Sequence, residues 1–226
     1  MKINEFPPHE NPIDDDLLLI WDATTNSTKH VKIADLKSLF GSAITPTPTS
    51  KEVTLTYASN GDSNGVFYYI GSNKLTQAWS NPHTDNLITV FFSSAYDESH
   101  NNPQYLVDRQ VNSLIATKNE INSYMAVDLK ADKSLILSAY SIRARNVNDR
   151  NLISWKIQGS NNNQNWIDID TQQNNPLNAS QWFSKIITGQ DTAFKAFRIL
   201  QTGINTNGDY ILCVGELELY GKLIFL

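Results

Sequence analysis

The sequence predicts an all-β domain of sandwich or barrel type, preceded by a small β-hairpin with a short helix. Two observations carry this. Short segments rich in β-branched and aromatic residues follow one another from about Lys51 to the end. Turn signals such as Ser59-Asn-Gly61, Gly159-Ser-Asn-Asn-Asn163 and Thr206-Asn-Gly208 separate them. Strands of that length and spacing suit a sandwich or barrel rather than a βαβ fold.

In chain order, residues 1–41 form a distinct module. Pro7-Pro8 and Asn11-Pro12 hold the start extended. Asp14 to Asp16 precede an apolar strand, Leu17–Trp21, and residues 22–28 read as a turn into a second strand, Lys29–Ile33. Ala34–Phe40 places Leu36, Leu39 and Phe40 at helical spacing, with Gly41 as the stop. One hairpin and two helical turns cannot bury a core alone, so Leu17, Leu19, Trp21, Leu36 and Phe40 are expected to pack against other chains. A Pro/Thr linker covers residues 42–52, and the β domain covers 53–226. Its expected strands are Val53–Tyr57, Val66–Ile70, Leu87–Phe92, Tyr124–Leu129, Leu135–Ile142, Ser154–Gln158, Trp166–Ile169, Trp182–Ile187, Lys195–Ile199 and Glu216–Tyr220.

Composition narrows the function. With 226 residues, 40% hydrophobic and 18% charged, the chain falls in the globular range. A net charge of −5 without a basic block argues against nucleic acid. The 25 asparagines exceed the 18 lysines and arginines, which suits either a surface reading neutral polar ligands or a β protein with many turns. Cys213 excludes an intrachain disulfide and is expected to be a buried, inert thiol. The amino terminus lacks the apolar core of a signal peptide, and no run approaches the ~20 residues of a membrane span. A soluble chain outside the ordinary export route is expected.

Catalysis is not expected. His9, His30, His83 and His100 show no metal spacing, and no Gly-x-Ser-x-Gly elbow or phosphate loop occurs. Asp168 and Asp170 sit two apart on an expected strand, hence on one face, and read as a solvated pair.

The second half carries an ordered set of motifs: Tyr140-Ser-Ile-Arg143, Trp155-Lys-Ile-Gln-Gly-Ser-Asn161, Asn165-Trp-Ile-Asp-Ile169, Phe197-Arg-Ile-Leu-Gln-Thr-Gly203 and Gly215-Glu-Leu-Glu-Leu-Tyr-Gly221. Over about residues 60–223 this order resembles the discoidin family, also called the coagulation-factor type C domain, a jelly-roll β-sandwich or barrel. The upstream segments Asn64–Gly71, Asn81-Pro-His83, Val90–Ser94 and Asn122–Leu129 resemble its intracellular, disulfide-free branch, found appended to eukaryotic ubiquitin-ligase and adaptor proteins. Alternation in Trp155-Lys-Ile-Gln and in Glu216-Leu-Glu-Leu is expected to turn one face to a core and one to water. Gly159-Ser-Asn161 is expected to be a turn.

The resemblance implies binding rather than catalysis, through loops at one end of the barrel. Three segments map there: 95–105, 116–122 and 143–150. They supply Tyr96, Asp97, His100, Asn102, Asn119, Arg145, Asn146, Asp149 and Arg150, a set able to grip hydroxyls and offer an aromatic platform. The fucose-binding branch uses a His with Arg-x-Asp-x-x-x-x-Arg/Lys. Here His100, Arg145, Asp149 and Arg150 lie in comparable places at a different spacing, so fucose specificity is not expected. Membrane-binding members carry apolar loop tips; these loops read as polar, and membrane insertion is not expected. Some members hold a structural calcium, but no motif here supports one, and no cofactor is expected.

Ile3–Pro8, Asp15–Asp22 and Lys29–Leu36 resemble the amino-terminal attachment region of bacteriophage tail fibres. The combined expectation is a tail fibre, assembled into the virion in bacterial cytoplasm. It would be anchored to tail or baseplate proteins, homotrimeric, and bind a host surface glycan such as lipopolysaccharide or capsule. The alternative is a structural or adaptor protein whose barrel holds proteins. A free bacterial lectin is a third option.

Overall fold

The computed structural model describes residue 15 and residues 17–35, 51–112 and 115–226. The chain divides into two compact units, Met1–Thr49 and Ser50–Leu226.

In the first unit β1 (Leu17–Asp22) pairs antiparallel with β2 (Ser27–Lys32), Asp22 facing Ser27. The Asp22 carboxylate closes the turn by accepting the amides of Thr24 at 2.9 Å and Thr25 at 3.2 Å, and Asn26 takes a left-handed φ of 51°. Lys29 also pairs with Asp22, and this contact, with those from Thr25, holds the carboxyl down to about 2. Residues 33–35 are helical. Of the attachment residues, Leu17 and Trp21 are exposed, at 57% and 62%. The Leu19 side chain, Leu36 and Phe40 lie outside the described residues.

The second unit is an antiparallel β-sandwich, as the strand pattern predicts. One sheet has four strands in the order β3 (Lys51–Leu55), β11 (Glu216–Phe225), β6 (Lys133–Arg143), β9 (Trp182–Ile186). The other has five: β4 (Thr89–Phe92), β5 (Tyr124–Asp128), β10 (Ala196–Gln201), β7 (Trp155–Ser160), β8 (Ile167–Gln172). Alternation aims Trp155, Ile157, Phe197 and Ile199 into one core with Leu137, Ile142, Leu217 and Leu219. The buried Trp155 indole donates to the Tyr140 hydroxyl at 3.2 Å, which donates to Asp170 at 2.6 Å.

Four expectations fail for identifiable reasons. Val66–Ile70 is not a strand but part of a helix, α1 (Val66–Gly71). Its run of aromatic and branched residues has strand propensity. Yet the Glu218 carboxylate reaches over from β11 and accepts the amides of Phe67 at 2.9 Å and Tyr68 at 3.3 Å, capping the helix start. For the same reason the second face of Glu216-Leu-Glu-Leu is not in water. Glu216 and Glu218 are only 4% and 3% exposed, the first paired with Arg143 at 3.2 Å. Gly159 lies inside β7 rather than in a turn; a Cβ there would sit 2.4 Å from the Phe194 ring, so the glycine admits that ring. Asp168 and Asp170 do not share a face. A register shift in the β7–β8 pairing sets Asp170 opposite inward-facing Ile157 and Asp168 opposite Gln158, so one carboxylate meets Tyr140 and the other meets Lys156.

Gly221 marks an irregularity in the β11–β6 pairing, at φ 148°, where a Cβ would fall 2.1 Å from the Ile136 carbonyl oxygen. That oxygen belongs to the backbone and is no flexible tip, so Gly221→Ala should cost about 2–4 kcal/mol, strain and overpacking together. Urea denaturation measures it; a loss under about 1 kcal/mol would show that the backbone yields.

Burial raises the carboxyl of Glu216 to about 7, against the pull of Arg143, and that of Glu218 to about 8, against its backbone donors and Arg109. The folded state therefore keeps protons that the unfolded chain, with an ordinary value of 4.5, releases. Their contribution is complete below about pH 4.5 and is lost as pH rises through about 7–8. The expected result is a Tm higher at pH 5 than at pH 8.5; a Tm that climbs over that interval would contradict the assignment.

Candidate functional site

The start of β5, the ends of β6 and β10, and the start of β11 meet at one end of the sandwich, so their connections converge there. Between these loops lies a cavity of about 210 Å³ lined by Tyr96, His100, Ala116, Arg145, Asp149, Arg150, Ile211 and Cys213. Ala116 and Cys213 form an isolated β-bridge, and with Ile211 they make a small apolar cluster of their own. Burial raises the Cys213 thiol to about 11, with Arg145 pulling the other way. That thiol is 2% exposed and stays protonated at neutral pH, as expected.

Above this cluster the polar groups interlock. Asp149 accepts from Arg145 at 3.4 Å, from Arg150 at 2.9 Å and from the Asn207 amide at 2.6 Å. The Arg150 Nε donates to Asp209 at 3.2 Å, and its backbone amide to the Asn207 side chain at 3.0 Å. A left-handed φ of 53° at Arg150 turns the chain so that both contacts form. Arg145 also lies 3.6 Å from the Cys213 sulfur, and its buried Nε has no protein partner among the described residues. Across the cavity Asp97 holds His100, accepting its amide at 3.0 Å and meeting Nδ1 at 2.6 Å. The hydrogen bond from Ser99, and then that from His100, bring the Asp97 carboxyl down to about 2. Tyr96 stands edge-on to His100, ring centres 5.3 Å apart, and is 47% exposed.

Of the nine loop residues singled out from sequence, Tyr96, His100, Arg145, Asp149 and Arg150 line the cavity, and Asp97 orients one of them. The other three are spent on the scaffold. The Asn102 side chain donates to the Ser99 carbonyl, Asn119 accepts the Tyr210 amide, and Asn146 donates to Asn112. Sequence reasoning missed a fourth segment, 205–213, which brings Asn207, Asp209 and Ile211. Its signal, Thr206-Asn-Gly208-Asp, reads in sequence as a turn alone. The loops are also not uniformly polar, for Ile121 is 71% and Val147 42% exposed.

Chemically the cavity offers an apolar floor, one exposed aromatic ring, two guanidinium groups and a free histidine nitrogen. Arg145 and Arg150 are balanced by Asp149 and Asp209, so no net anion or cation is called for. Such a set suits several adjacent hydroxyls on a neutral ring. A second cavity of about 260 Å³ lies at the opposite end, where Asn163 donates to Asp128 and Asn161 accepts the Lys195 backbone amide. Among the described residues no cluster of three or more His, Cys, Asp or Glu could hold a metal, and no helix is long and apolar enough to cross a membrane.

No protein-family model matches the sequence. Among solved structures it is similar to two modules of Clostridium perfringens. The first is CpGH89CBM32-5 in complex with GalNAc-β-1,3-galactose (TM-score 0.51, 12% identity, 60% of this chain and 96% of that one). The second is CBM32-3 from a family 31 glycoside hydrolase (TM-score 0.50, 15% identity, 60% and 92%). The fold is thus the discoidin-like β-sandwich of carbohydrate-binding modules. Among curated proteins the chain is 29% identical over 184 residues to the E3 ubiquitin-protein ligase hecd-1 of Caenorhabditis elegans. It is 29% identical over 178 residues to the BTB/POZ domain-containing protein At2g30600 of Arabidopsis thaliana. These matches take in 77% and 74% of this chain but span only 7% and 22% of the relatives' own length.

Proposed function

We propose that the chain binds a cell-surface glycan in the cavity between the loops, without catalysing a reaction on it. The observation that carries this is the convergence of Tyr96, His100, Arg145, Asp149 and Arg150, from two separate loops, on one charge-balanced cavity with an apolar floor. The carbohydrate-binding fold supports the reading.

The amino-terminal unit completes it. Leu17 and Trp21 stand exposed on a hairpin too small to cover them, which fits a segment that packs on other chains. With the tail-fibre-like lead and the Pro/Thr linker, the whole is read as a phage tail fibre: a homotrimer in the virion, held to the tail or baseplate by residues 1–41, with lipopolysaccharide or capsule as receptor. Threefold presentation would raise a weak single-site affinity by about 10²–10⁴. A glycan array probed with the full chain and with residues 51–226 tests this. Binding by both, tighter for the full chain, is expected; silence from both refutes glycan recognition, and equal affinity refutes the multimerising head.

One observation favours a second reading, an adaptor that holds proteins. The curated relatives match about three quarters of this chain at 29% identity and are named as a ubiquitin ligase and a BTB/POZ protein. Replacing loops 95–105 and 143–150 separates the two. Lost adsorption to cells with intact particle assembly supports receptor binding, whereas failed assembly supports the adaptor.

A further inference from the structure

The outer face of the five-stranded sheet carries a second group of residues that the loop cavity does not use. Arg198 sits at its centre, on β10 between Ala126 of β5 and Gln158 of β7. Its guanidinium carbon lies 4.9 Å from the ring centre of Tyr124 and 4.4 Å from that of Trp166. Phe91 extends the row, edge-on to Tyr124 at 6.3 Å. The Arg198 Nε donates to Gln158 at 2.6 Å, and the Gln158 amide donates to Asp168 at 2.5 Å. Asp168 is in turn engaged by Lys156 at 2.6 Å.

Two consequences follow. The guanidinium plane is held by rings and by Gln158, so the fork is pre-oriented at little further entropic cost. Its charge, however, meets no carboxylate directly, because Asp168 is taken by Lys156 and Gln158. The two Nη groups make no hydrogen bond or ion pair to any described residue, and burial lowers the Arg198 pKa from its ordinary value. A fixed, under-neutralised fork beside aromatic rings is complementary to a planar carboxylate attached to a flat apolar body.

We propose that this sheet face is a second ligand site, one that takes a carboxylate-bearing sugar ring of the uronate type. The carboxylate pairs with the Arg198 Nη edge while the C–H face of the ring rests on Trp166 or Tyr124. The surface itself favours a sugar over a peptide. Extended peptides add to a sheet edge, where backbone groups are unpaired, but β5, β10 and β7 are hydrogen-bonded on both sides. A docked helix needs an apolar groove, and none opens at the small residues of this face, because Ala126 and Ala196 are buried beneath their larger neighbours. This site shares no residue with the loop cavity and does not depend on the function proposed there.

The test is a titration of the full chain with oligogalacturonate, with the uncharged oligogalactoside and with polyglutamate, followed by two-dimensional ¹⁵N–¹H spectra at about millimolar ligand. Oligogalacturonate should shift the Trp166 indole N–H and the amides around Arg198, the neutral sugar and polyglutamate much less. Arg198→Gln should weaken binding at least about tenfold, and Arg198→Lys should recover only part of it. If Arg198→Gln fails to fold, Trp166→Leu at the rim of the platform must still weaken binding. No shift at Trp166, an equal response to the neutral sugar, or affinity unchanged by both substitutions overturns the proposal. Tighter binding of polyglutamate overturns it in favour of an acidic peptide.

Discussion

Glu218→Ala lowers the melting temperature of the sandwich by about 10–15 °C. The carboxylate accepts the amides of Phe67 and Tyr68 at the start of α1 and of Leu219 beside it, and the residue is 3% exposed. Removing it strands two donors at a buried helix terminus, each costing about 1–3 kcal/mol, and takes away the carboxylate 3.9 Å from Arg109. A total of about 3–5 kcal/mol is a large part of the ~5–15 kcal/mol that holds a domain together, and each kcal/mol moves Tm by about 2–4 °C at this size. Glu218→Gln, which keeps one acceptor, should fall between the two. Calorimetry decides; a shift of less than about 3 °C for the alanine variant would mean that α1 finds another cap.

Arg145→Ala is expected to weaken binding of the proposed glycan at the loop cavity by at least about 30-fold. Arg145 links the floor at Cys213 to Asp149, and Asp149 in turn holds Arg150 and Asn207. Truncating one member of a hydrogen-bonded charge group costs about 2–5 kcal/mol when its partner is left facing the site. Asn146→Ala, whose amide serves Asn112 outside the cavity, should leave affinity within about threefold, below ~0.7 kcal/mol. Calorimetric titration with a glycan selected on the array measures both. Equal losses in the two variants would move the site elsewhere, provided both still melt as the wild type does.

The sandwich was legible because strand alternation is local. Trp155-Lys-Ile-Gln and Phe197-Arg-Ile announce their inward faces without knowledge of any partner. The failures share one cause: each depends on a residue far away in sequence. Val66–Gly71 is a helix because of a carboxylate 151 positions later, and Glu216 and Glu218 are buried because a helix and an arginine cover them. The Asp168–Asp170 pair splits because of a one-residue pairing shift that no single strand reveals. The site divides in the same way. Types and approximate places of its charged residues were readable from two loops. That Asn102, Asn119 and Asn146 serve the backbone and neighbouring loops, while Asn207 and Asp209 hold the charged residues at the cavity, follows only from which turns meet in space.

The abundance of asparagine acquires a different meaning once the backbone is known. Asn26, Asn73, Asn86, Asn122, Asn163 and Asn174 all take left-handed φ values, where branched side chains are strained. They bend the chain.

The pairing of β3 with β11 sets Lys51 opposite Phe225, so the chain enters and leaves the sandwich side by side. The loop cavity adjoins the start of β11, at the other end of the same strand. A sensor chip, bead or fusion partner coupled through either terminus of residues 51–226 would therefore hold the domain by its base. The mouth of the cavity would face the bulk solution, and two couplings, one per terminus, would present it in the same orientation.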